Sequence, residues 1–298
     1  MTAAAPILEA RSLEVRYGRL RALAQVSLSV PTGSVYALLG RNGAGKSSFV
    51  RCLLGLQKSF GGTVSLLGLD AWKGRDQAMA RVGVVPEEPD APPAMKASEV
   101  AAFCARLYPT WNQAGVEARL KRFQVPLQTP VGRLSRGQKA QLSLALALAS
   151  DPELLVLDDP TLGLDAVARR AFYQELLSDL ADRGTSVFIT THDLAGVEGI
   201  ADHIGILREG HLELEGPLEE LKARFFRLHG RPTLTIEALA PLAPLSFRAN
   251  GFGGEAIVSR FDAEVFARLQ AAGQVEGEPV PLSLEELFIA VAGGEAQP

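Results

Sequence analysis

A glycine-rich loop is the feature that most constrains how this chain can fold. Residues 40–47 read GRNGAGKS and fit the pattern G-x-x-x-x-G-K-[ST]. The apolar run Ser34–Leu39 before the loop predicts a strand, and Ser47–Leu56 after it carries apolar residues at helical spacing. A glycine-rich turn between a strand and a helix lets backbone N–H groups surround a polyphosphate at the positive end of the helix. The chain is therefore predicted to contain an α/β nucleotide-binding fold.

The side chains of this loop have separate predicted roles. Lys46 supplies a positive charge to the β- and γ-phosphates, and the Ser47 hydroxyl is a ligand for Mg²⁺. An ordinary glycine-rich turn is the alternative, but the strand and the helix on either side argue against it. The predicted nucleotide-binding residues of the loop are Gly40, Asn42, Gly43, Ala44, Gly45, Lys46, Ser47 and Ser48.

A second apolar run ends in two carboxylates. Leu154–Leu157 reads LLVL, as expected for a central parallel strand buried on both faces, and Asp158 and Asp159 follow it. Ligands of open α/β sheets gather at the carboxyl ends of the strands, so Asp158 is predicted to hold Mg²⁺ through water. Asp159 is the candidate that orients or deprotonates the attacking water. Alternatively, one of these carboxylates only caps the turn into Pro160.

The remaining pattern divides the chain into parts. Residues 1–225 alternate short strands with helices and are predicted to form the nucleotide-binding domain. Between about residues 87 and 150 the strand pattern disappears and helical periodicity replaces it, which indicates a helical insert. Residues 226–298 form a small C-terminal extension, with a predicted strand at Thr233–Glu237 and a last helix at Ser283–Ala292.

Composition argues against several other classes of protein. The formal net charge of −4 lacks the basic excess expected of a chain that binds nucleic acid. Cys52 and Cys104 form no close-spaced pair, so we expect neither a zinc site nor a disulfide scaffold. The apolar segment Leu142–Ala149 is far shorter than the roughly 18 residues that cross a bilayer. We expect a soluble chain without a nucleic-acid partner, whose membrane role comes from another protein.

Three further segments narrow the prediction to one family. Residues 134–138 read LSRGQ, residues 163–165 read GLD and residues 191–193 read THD. Together with the loop and the carboxylate pair, this ordered set resembles the nucleotide-binding domain of ABC transporters over roughly residues 7–222. The resemblance implies a P-loop NTPase of ABC type. Its expected parts are a mixed β-sheet core, a helical subdomain insert and a small α+β C-terminal extension.

The resemblance also implies roles for residues outside the loop. Tyr17 would stack on adenine, or would otherwise be a half-buried tyrosine at a strand end. His192 would contact the γ-phosphate and help to hold the attacking water. The residues at the LSRGQ and GLD segments would bind ATP held by the opposite subunit or lie at the dimer seam, and they are Ser135, Gly137, Gln138 and Asp165.

Three positions depart from the family pattern. Asp159 stands where the family usually has Glu, and the missing methylene retracts the carboxylate by about 1.5 Å, which would slow hydrolysis. Glu87 stands at the position of a family Gln. It is a candidate catalytic residue and a Mg²⁺ ligand through water, or otherwise a solvated loop residue. Arg136 departs from the usual signature at the third residue of the segment, where a cation can anchor the loop.

The implied function is an ATP-binding, ATP-hydrolysing transporter subunit with ATP and Mg²⁺ as cofactors. It would couple dimer closure to a separate integral membrane permease, as a homodimer or as a heterodimer with a second ABC ATPase. It would lie peripherally on the cytoplasmic face of the membrane. Glu87 and the segment 282–288, LSLEELF, resemble export-type members. Two alternatives stay open: a soluble ABC-type ATPase, and a nucleotide-gated regulatory module with weak hydrolysis.

Overall fold

A computed structural model of the chain describes residues 5–88, 91–250 and 253–293. The chain divides into two compact units, Met1–Leu212 and Glu213–Pro298. The domain boundary expected from the sequence, between residues 225 and 226, lies later in the chain and stays a prediction.

The first unit contains two sheets. Its strands are β1 (Leu8–Tyr17), β2 (Leu20–Val30), β3 (Val35–Gly40), β4 (Gly61–Leu66), β5 (Leu69–Asp70), β6 (Val82–Val85), β7 (Leu154–Asp158), β8 (Ser186–Thr191) and β9 (His203–Arg208), and β10 (His211–Pro217) begins at its end and runs across the boundary at Leu212. One four-stranded antiparallel sheet has the order β2-β1-β4-β5. The other has six strands in the order β10-β9-β3-β8-β7-β6, and its neighbouring strands from β9 to β6 are parallel.

Helices connect these strands and form the insert. They are α1 (Lys46–Leu53), α2 (Arg75–Met79), α3 (Ala97–Cys104), α4 (Gln113–Arg122), α5 (Arg136–Ala147), α6 (Ala166–Arg183) and α7 (Leu194–Glu198). Helices α3, α4 and α5 lie between β6 and β7 and share an apolar core that includes Val116, Leu120 and Leu142. Within the described ranges, no helix combines the length and the apolar character that a membrane span requires.

The strand that leads to the phosphate loop, β3, and its parallel neighbour β8 are buried on both faces. Every residue of β3 and of β8 is buried, as is typical of central parallel strands. The ring of Phe188 on β8 stacks against Tyr36 of β3 at 5.8 Å and against Phe49 of α1 at 5.4 Å, measured between ring centroids. These contacts pack α1, the helix after the loop, against β3 and β8 of the sheet.

The second unit is a small α+β structure. Its elements are α8 (Leu218–Lys222), β11 (Phe226–Gly230), α9 (Ile236–Leu239), β12 (Pro244–Asn250), β13 (Gly253–Val258), α10 (Ala263–Ala271), β14 (Val275–Pro281) and α11 (Leu284–Ala292). The four strands form an antiparallel sheet in the order β12-β13-β11-β14. Leu228, Ala256 and Leu269 belong to its apolar core.

The prediction of a strand at Thr233–Glu237 is wrong. Residues Ile236–Leu239 form α9, and the Ala238 N–H donates a hydrogen bond of 3.3 Å to Thr235 Oγ1. A threonine that accepts this bond satisfies one of the free N–H groups at the start of a helix. Thr235 therefore caps a helix. A threonine is found both at helix caps and in strands, so the sequence pattern alone did not distinguish the two.

A buried ion cluster joins the helical insert to α6. Arg119 of α4 lies 2.9 Å from Glu175 and 3.3 Å from Asp179, and its side chain is 9% exposed. The Thr185 hydroxyl donates a hydrogen bond to Asp179 at 3.1 Å. Burial raises the pKa of the Asp179 carboxyl, although Arg183 and Thr185 oppose the rise. Loss of the Arg119 guanidinium would leave the negative charges of Glu175 and Asp179 buried with much less positive charge beside them.

We expect Arg119→Met to lower the free energy of unfolding by about 3 kcal/mol, because Glu175 and Asp179 would lose their most buried counter-charge. Arg81→Met is the matched control. Arg81 pairs with Glu153 where the two side chains are 44% and 53% exposed, and such pairs contribute less than about 1 kcal/mol. Urea denaturation followed by circular dichroism measures both losses, and equal losses would contradict the proposed role of burial.

Candidate nucleotide-binding site

The phosphate loop leaves the carboxyl end of β3 and enters α1. Gly43 and Gly45 have φ angles of +82° and +112°, a region that side-chain-bearing residues rarely occupy. A Cβ atom on Gly45 would lie 2.6 Å from the Ala22 carbonyl oxygen, so this position requires glycine. The Gly210 N–H donates a 3.0 Å hydrogen bond to the Ala44 carbonyl. Neighbouring backbone therefore holds the loop in its curved shape.

The loop forms part of the wall of a cavity of about 710 Å³, a volume typical of small-molecule and cofactor sites. Gly40 and Ala44 belong to the loop but do not line this cavity. The predicted site residues that line it are Tyr17, Asn42, Gly43, Gly45, Lys46, Ser47, Ser48, Glu87, Asp158, Asp159 and His192. The loop residues, the two aspartates and His192 come together because β3, β8 and β7 are parallel neighbours whose carboxyl ends meet at one edge of the sheet. Tyr17 comes from the end of β1, and Glu87 follows β6.

The cavity also has lining residues that the sequence did not reveal. They are Leu20, Arg21, Ala22, Arg41, Leu162 and Glu209. Residues 20–22 begin the strand that pairs with β1 after a turn at Gly18, whose φ is +60°. That glycine is the signal that could have placed them beside Tyr17, since glycine favours tight hairpin turns.

Lys46 is held in the loop by backbone carbonyls. Its Nζ donates a 2.7 Å hydrogen bond to the Gly40 carbonyl and a longer one, 3.5 Å, to that of Arg41. Burial lowers the pKa of the Lys46 ammonium, and the nearby carboxylates oppose this shift. The side chain therefore presents a largely desolvated cation to the cavity, where an anion would meet little competition from water.

The two carboxylates at the end of β7, Asp158 and Asp159, have different partners on β8 and just beyond it. The Thr190 hydroxyl donates a 2.5 Å hydrogen bond to Asp158 Oδ1, and burial raises the pKa of the Asp158 carboxyl. Asp159 Oδ1 lies 2.8 Å from His192 Nδ1. The Asp159 N–H donates to the Thr190 carbonyl at 2.9 Å. Thr190 was absent from the predicted site because its role depends on the pairing of two distant strands.

Tyr17 stands beside the start of α1. Its hydroxyl donates a 2.6 Å hydrogen bond to Gln57 Oε1 and lies 3.4 Å from Ser48 Oγ. The residue is 41% exposed, so its hydroxyl is anchored while part of its ring stays accessible. Stacking of this ring on adenine stays a prediction.

The LSRGQ residues lie in a different cavity. This cavity has a volume of about 500 Å³, contains Ser135, Gly137, Gln138 and Asp165 in its wall, and shares no lining residue with the first. The Gln138 N–H donates to Ser135 Oγ at 3.1 Å, and the Ser135 N–H donates to Gln138 Oε1 at 3.0 Å. Such a capping box leaves the Ser135 hydroxyl proton and the Gly137 N–H of the first turn available to an anion.

Arg136 packs over the GLD segment. A Cβ atom on Gly163, whose φ is +71°, would lie 2.7 Å from an Arg136 guanidinium nitrogen. The Asp165 carboxylate nearby accepts the Ala168 N–H at 2.8 Å and caps α6. The arginine that departs from the usual signature therefore lies against the turn that leads into α6.

The chain is similar in sequence to known ATP-binding proteins of transporters. The family model described as ABC transporter matches residues 23–162. The chain is 34% identical to the Nod factor export ATP-binding protein I of Burkholderia orbicola, over 98% of this chain and 99% of that protein. It is 33% identical to the bacitracin transport ATP-binding protein BcrA of Bacillus licheniformis, over 73% of this chain and 72% of that protein.

Solved structures show the same fold. An ATP-binding subunit of an ABC transporter superposes with a TM-score of 0.66 at 28% identity, covering 73% of this chain and 92% of the other. A dimeric ATP-binding cassette in a post-hydrolysis state, bound to ADP and Pi, superposes with a TM-score of 0.64 at 23% identity. That match covers 71% of this chain and 98% of the other, and it supports the fold alone.

We expect Gly45→Ala to weaken ATP binding at least about 100-fold, because a methyl group at this φ would collide with the Ala22 carbonyl and distort the loop. Gly184→Ala is the control. Gly184 has a similar left-handed φ of +66°, but no atom lies within 4 Å of the added methyl group. Titration with a fluorescent ATP analogue, together with circular dichroism, separates lost binding from lost folding. Equal affinities for the two variants would contradict the assignment of the loop.

Proposed function

The chain belongs to the ABC transporter family of ATP-binding subunits, which are ATPases, and from this membership we propose that it drives export through a separate membrane permease. The family and the fold class predicted from the ordered motifs are confirmed. A relative that is named for Nod factor export supports the export direction, and one that is named for bacitracin transport supports a role in transport. The chain would act at the cytoplasmic face of the membrane, bound to its permease.

One observation carries the proposal of ATP hydrolysis at this site. A single cavity contains the desolvated cation Lys46, the carboxylates Asp158 and Asp159, and the imidazole of His192. Hydrolysis of a phosphoanhydride requires a cradle for the phosphates, a group that orients the attacking water and compensation of negative charge. These three requirements are met by residues from three neighbouring strand ends.

The cavity also suits Mg²⁺ bound together with a nucleotide. Among the described residues, no group of three or more His, Cys, Asp or Glu side chains could hold a metal ion alone. Ser47, Asp158 and Glu87 line the cavity and offer oxygen atoms, the ligands that Mg²⁺ prefers alongside phosphate oxygens and water. When bound there, Mg²⁺ neutralises the charge that a triphosphate adds to a cavity already rich in carboxylates.

The protein groups position the reactants. Lys46 binds the β- and γ-phosphates, and the loop N–H groups hold them in place. Asp159 orients the attacking water and accepts its proton as the bond to the γ-phosphorus forms, with ADP as the leaving group. His192, 2.8 Å from Asp159, contacts the γ-phosphate and keeps the carboxylate oriented toward the water.

A complete site requires a second subunit. Ser135 and Gly137 line a cavity separate from the phosphate loop, so one chain offers two half-sites. ATP bound at the loop of one subunit would meet the Ser135 hydroxyl and the Gly137 N–H of the other, and two nucleotides would hold the dimer closed. Hydrolysis removes the γ-phosphate contact and releases the closed state. The partner is a second copy or a related ATPase.

A regulatory module with weak hydrolysis is the alternative that a specific residue favours. Asp159 is one methylene shorter than the usual glutamate, and its φ of +46° places it in the left-handed region. Aspartate tolerates that region better than most residues with side chains.

A soluble ABC-type ATPase is a further alternative, and co-purification with an integral membrane protein distinguishes it from a transporter subunit.

Substitutions of Asp159 test its catalytic role. We expect Asp159→Glu to preserve or raise kcat, because the longer side chain reaches farther toward the γ-phosphate. We expect Asp159→Asn to lower kcat by about 100-fold or more, since an amide cannot accept the proton of the attacking water. Phosphate release at saturating Mg-ATP measures both. Full turnover in the Asn variant would remove Asp159 from the mechanism.

Light scattering tests the closed dimer. In the Asp159→Asn background with Mg-ATP, we expect the mass to rise to twice the 31.7 kDa of one chain. Ser135→Ala in that background should shift the dimer toward monomer by about tenfold in affinity, because a hydrogen bond to charged phosphate is lost. Ser98→Ala, the same change in α3, should have no effect. A chain that stays monomeric with Mg-ATP would contradict the shared site.

A further inference from the structure

The residue after His192 is the centre of a buried polar cluster. The Asp193 side chain is 9% exposed, and its Oδ1 accepts the Gly196 N–H of α7 at 3.2 Å. Its other oxygen, Oδ2, lies 3.2 Å from the Tyr173 hydroxyl, 3.5 Å from the Thr161 hydroxyl and 3.5 Å from Arg169 Nε. A helix cap requires only one carboxylate oxygen. The second oxygen therefore joins α7 to two other parts of the first unit.

Tyr173 makes the shortest of these side-chain contacts. It lies on α6, is 7% exposed, and packs so closely on Gly196 that a Cβ atom there would lie 2.8 Å from its Cζ. Burial raises the pKa of the Tyr173 hydroxyl, so the group stays protonated and donates a hydrogen bond to Asp193. A phenylalanine would fill the same space but would leave this carboxylate oxygen with weaker partners.

The cluster belongs to a series of bridges between two segments of the site. Residues 158–161 and 190–193 are joined by Asp158 with Thr190, by Asp159 with His192, and by Thr161 with Asp193. The His192 side chain is 49% exposed, whereas the Asp193 side chain beside it is buried. The position of the imidazole therefore depends on how firmly the backbone beside it is held.

The backbone beside His192 is held through Asp193. The Asp193 N–H donates a 2.9 Å hydrogen bond to Thr191 Oγ1, and its carboxylate is fixed by α6 and by the turn after Asp159. A shift of about 1 Å at a reacting group can change a rate by about two orders of magnitude. A contact that holds the His192 segment can therefore influence turnover without touching the nucleotide.

We propose that Tyr173 is a positioning residue for ATP hydrolysis, which acts through Asp193 to hold His192 against Asp159. The inference rests on the proposed function, because it assigns His192 a role at the γ-phosphate. A purely structural tyrosine would be replaced by phenylalanine without effect on catalysis, since the ring and its packing would be preserved.

The test compares Tyr173→Phe with the wild-type chain. We expect kcat for ATP hydrolysis to fall about tenfold, the effect of one lost hydrogen bond to a charged group. The KM for ATP should change by less than about twofold, because the phosphate loop is untouched. Tyr108→Phe is the matched control, since Tyr108 stacks on Trp111 in the insert, with ring centroids 6.0 Å apart. Unchanged kcat in Tyr173→Phe would overturn the inference.

A second measurement does not depend on turnover. The chain has four histidines, and the ring signal of His192 in a ¹H–¹³C spectrum is assigned by its loss in His192→Ala. Tyr173→Phe should move this signal and leave those of His203, His211 and His229 in place. A wild-type chain without ATPase activity would contradict the proposed function alone. An unmoved His192 signal would overturn the positioning role even in an active enzyme.

A double-mutant comparison shows whether Tyr173 acts through Asp193. In the Asp193→Asn background, Tyr173→Phe should lower kcat by less than about twofold further, because the contact between the two side chains is already altered. Thr161→Val, which removes the neighbouring hydroxyl, provides a second variant if Tyr173→Phe folds poorly, and it should lower kcat about threefold. Independent, multiplicative effects of Tyr173→Phe and Asp193→Asn would contradict the route through Asp193.

Discussion

The parallel pairing of β3, β8 and β7 is the constraint on which the rest of the site depends. Leu39 of β3 pairs with Thr191 of β8, and Asp158 of β7 pairs with Thr190. These registers bring the phosphate loop, the Asp158 carboxylate and the segment of His192 to one edge of the sheet. Since all three strands are almost fully buried, a slip in register would expose apolar side chains to water. Core packing and site geometry are therefore determined by the same contacts.

Sequence patterns revealed the parts of the site that are local. The phosphate loop is a contiguous motif, and the run before Asp158 is apolar enough to mark a buried strand. Thr190 and Tyr173 were missed because each depends on a partner far away in the chain, Asp158 or Asp193. Hydroxyl residues are common in strands and helices, so nothing in the local pattern distinguishes one that binds a carboxylate. Only the tertiary fold, which brings the two partners together, supplies that information.

The fold of the second unit was less accessible to sequence reasoning than that of the first. Strands β12 and β14 lie at the two edges of its sheet, and they contain Pro244 and Pro281. Proline is tolerated at edges because an N–H there need not join the ladder, but it weakens the periodic signal of a strand. In the first unit, continuous apolar runs in β3 and β7 gave a stronger signal, since central parallel strands are buried on both faces.

The hydrogen bond between Lys46 and the Gly40 carbonyl has a thermodynamic consequence. The ammonium is already ordered against the loop, so nucleotide binding exchanges one acceptor for another instead of immobilising a free side chain. Such a preorganised cation limits both the entropy lost and the net heat released on association. Ordering of the Lys46 side chain therefore contributes little to the free-energy cost of nucleotide binding.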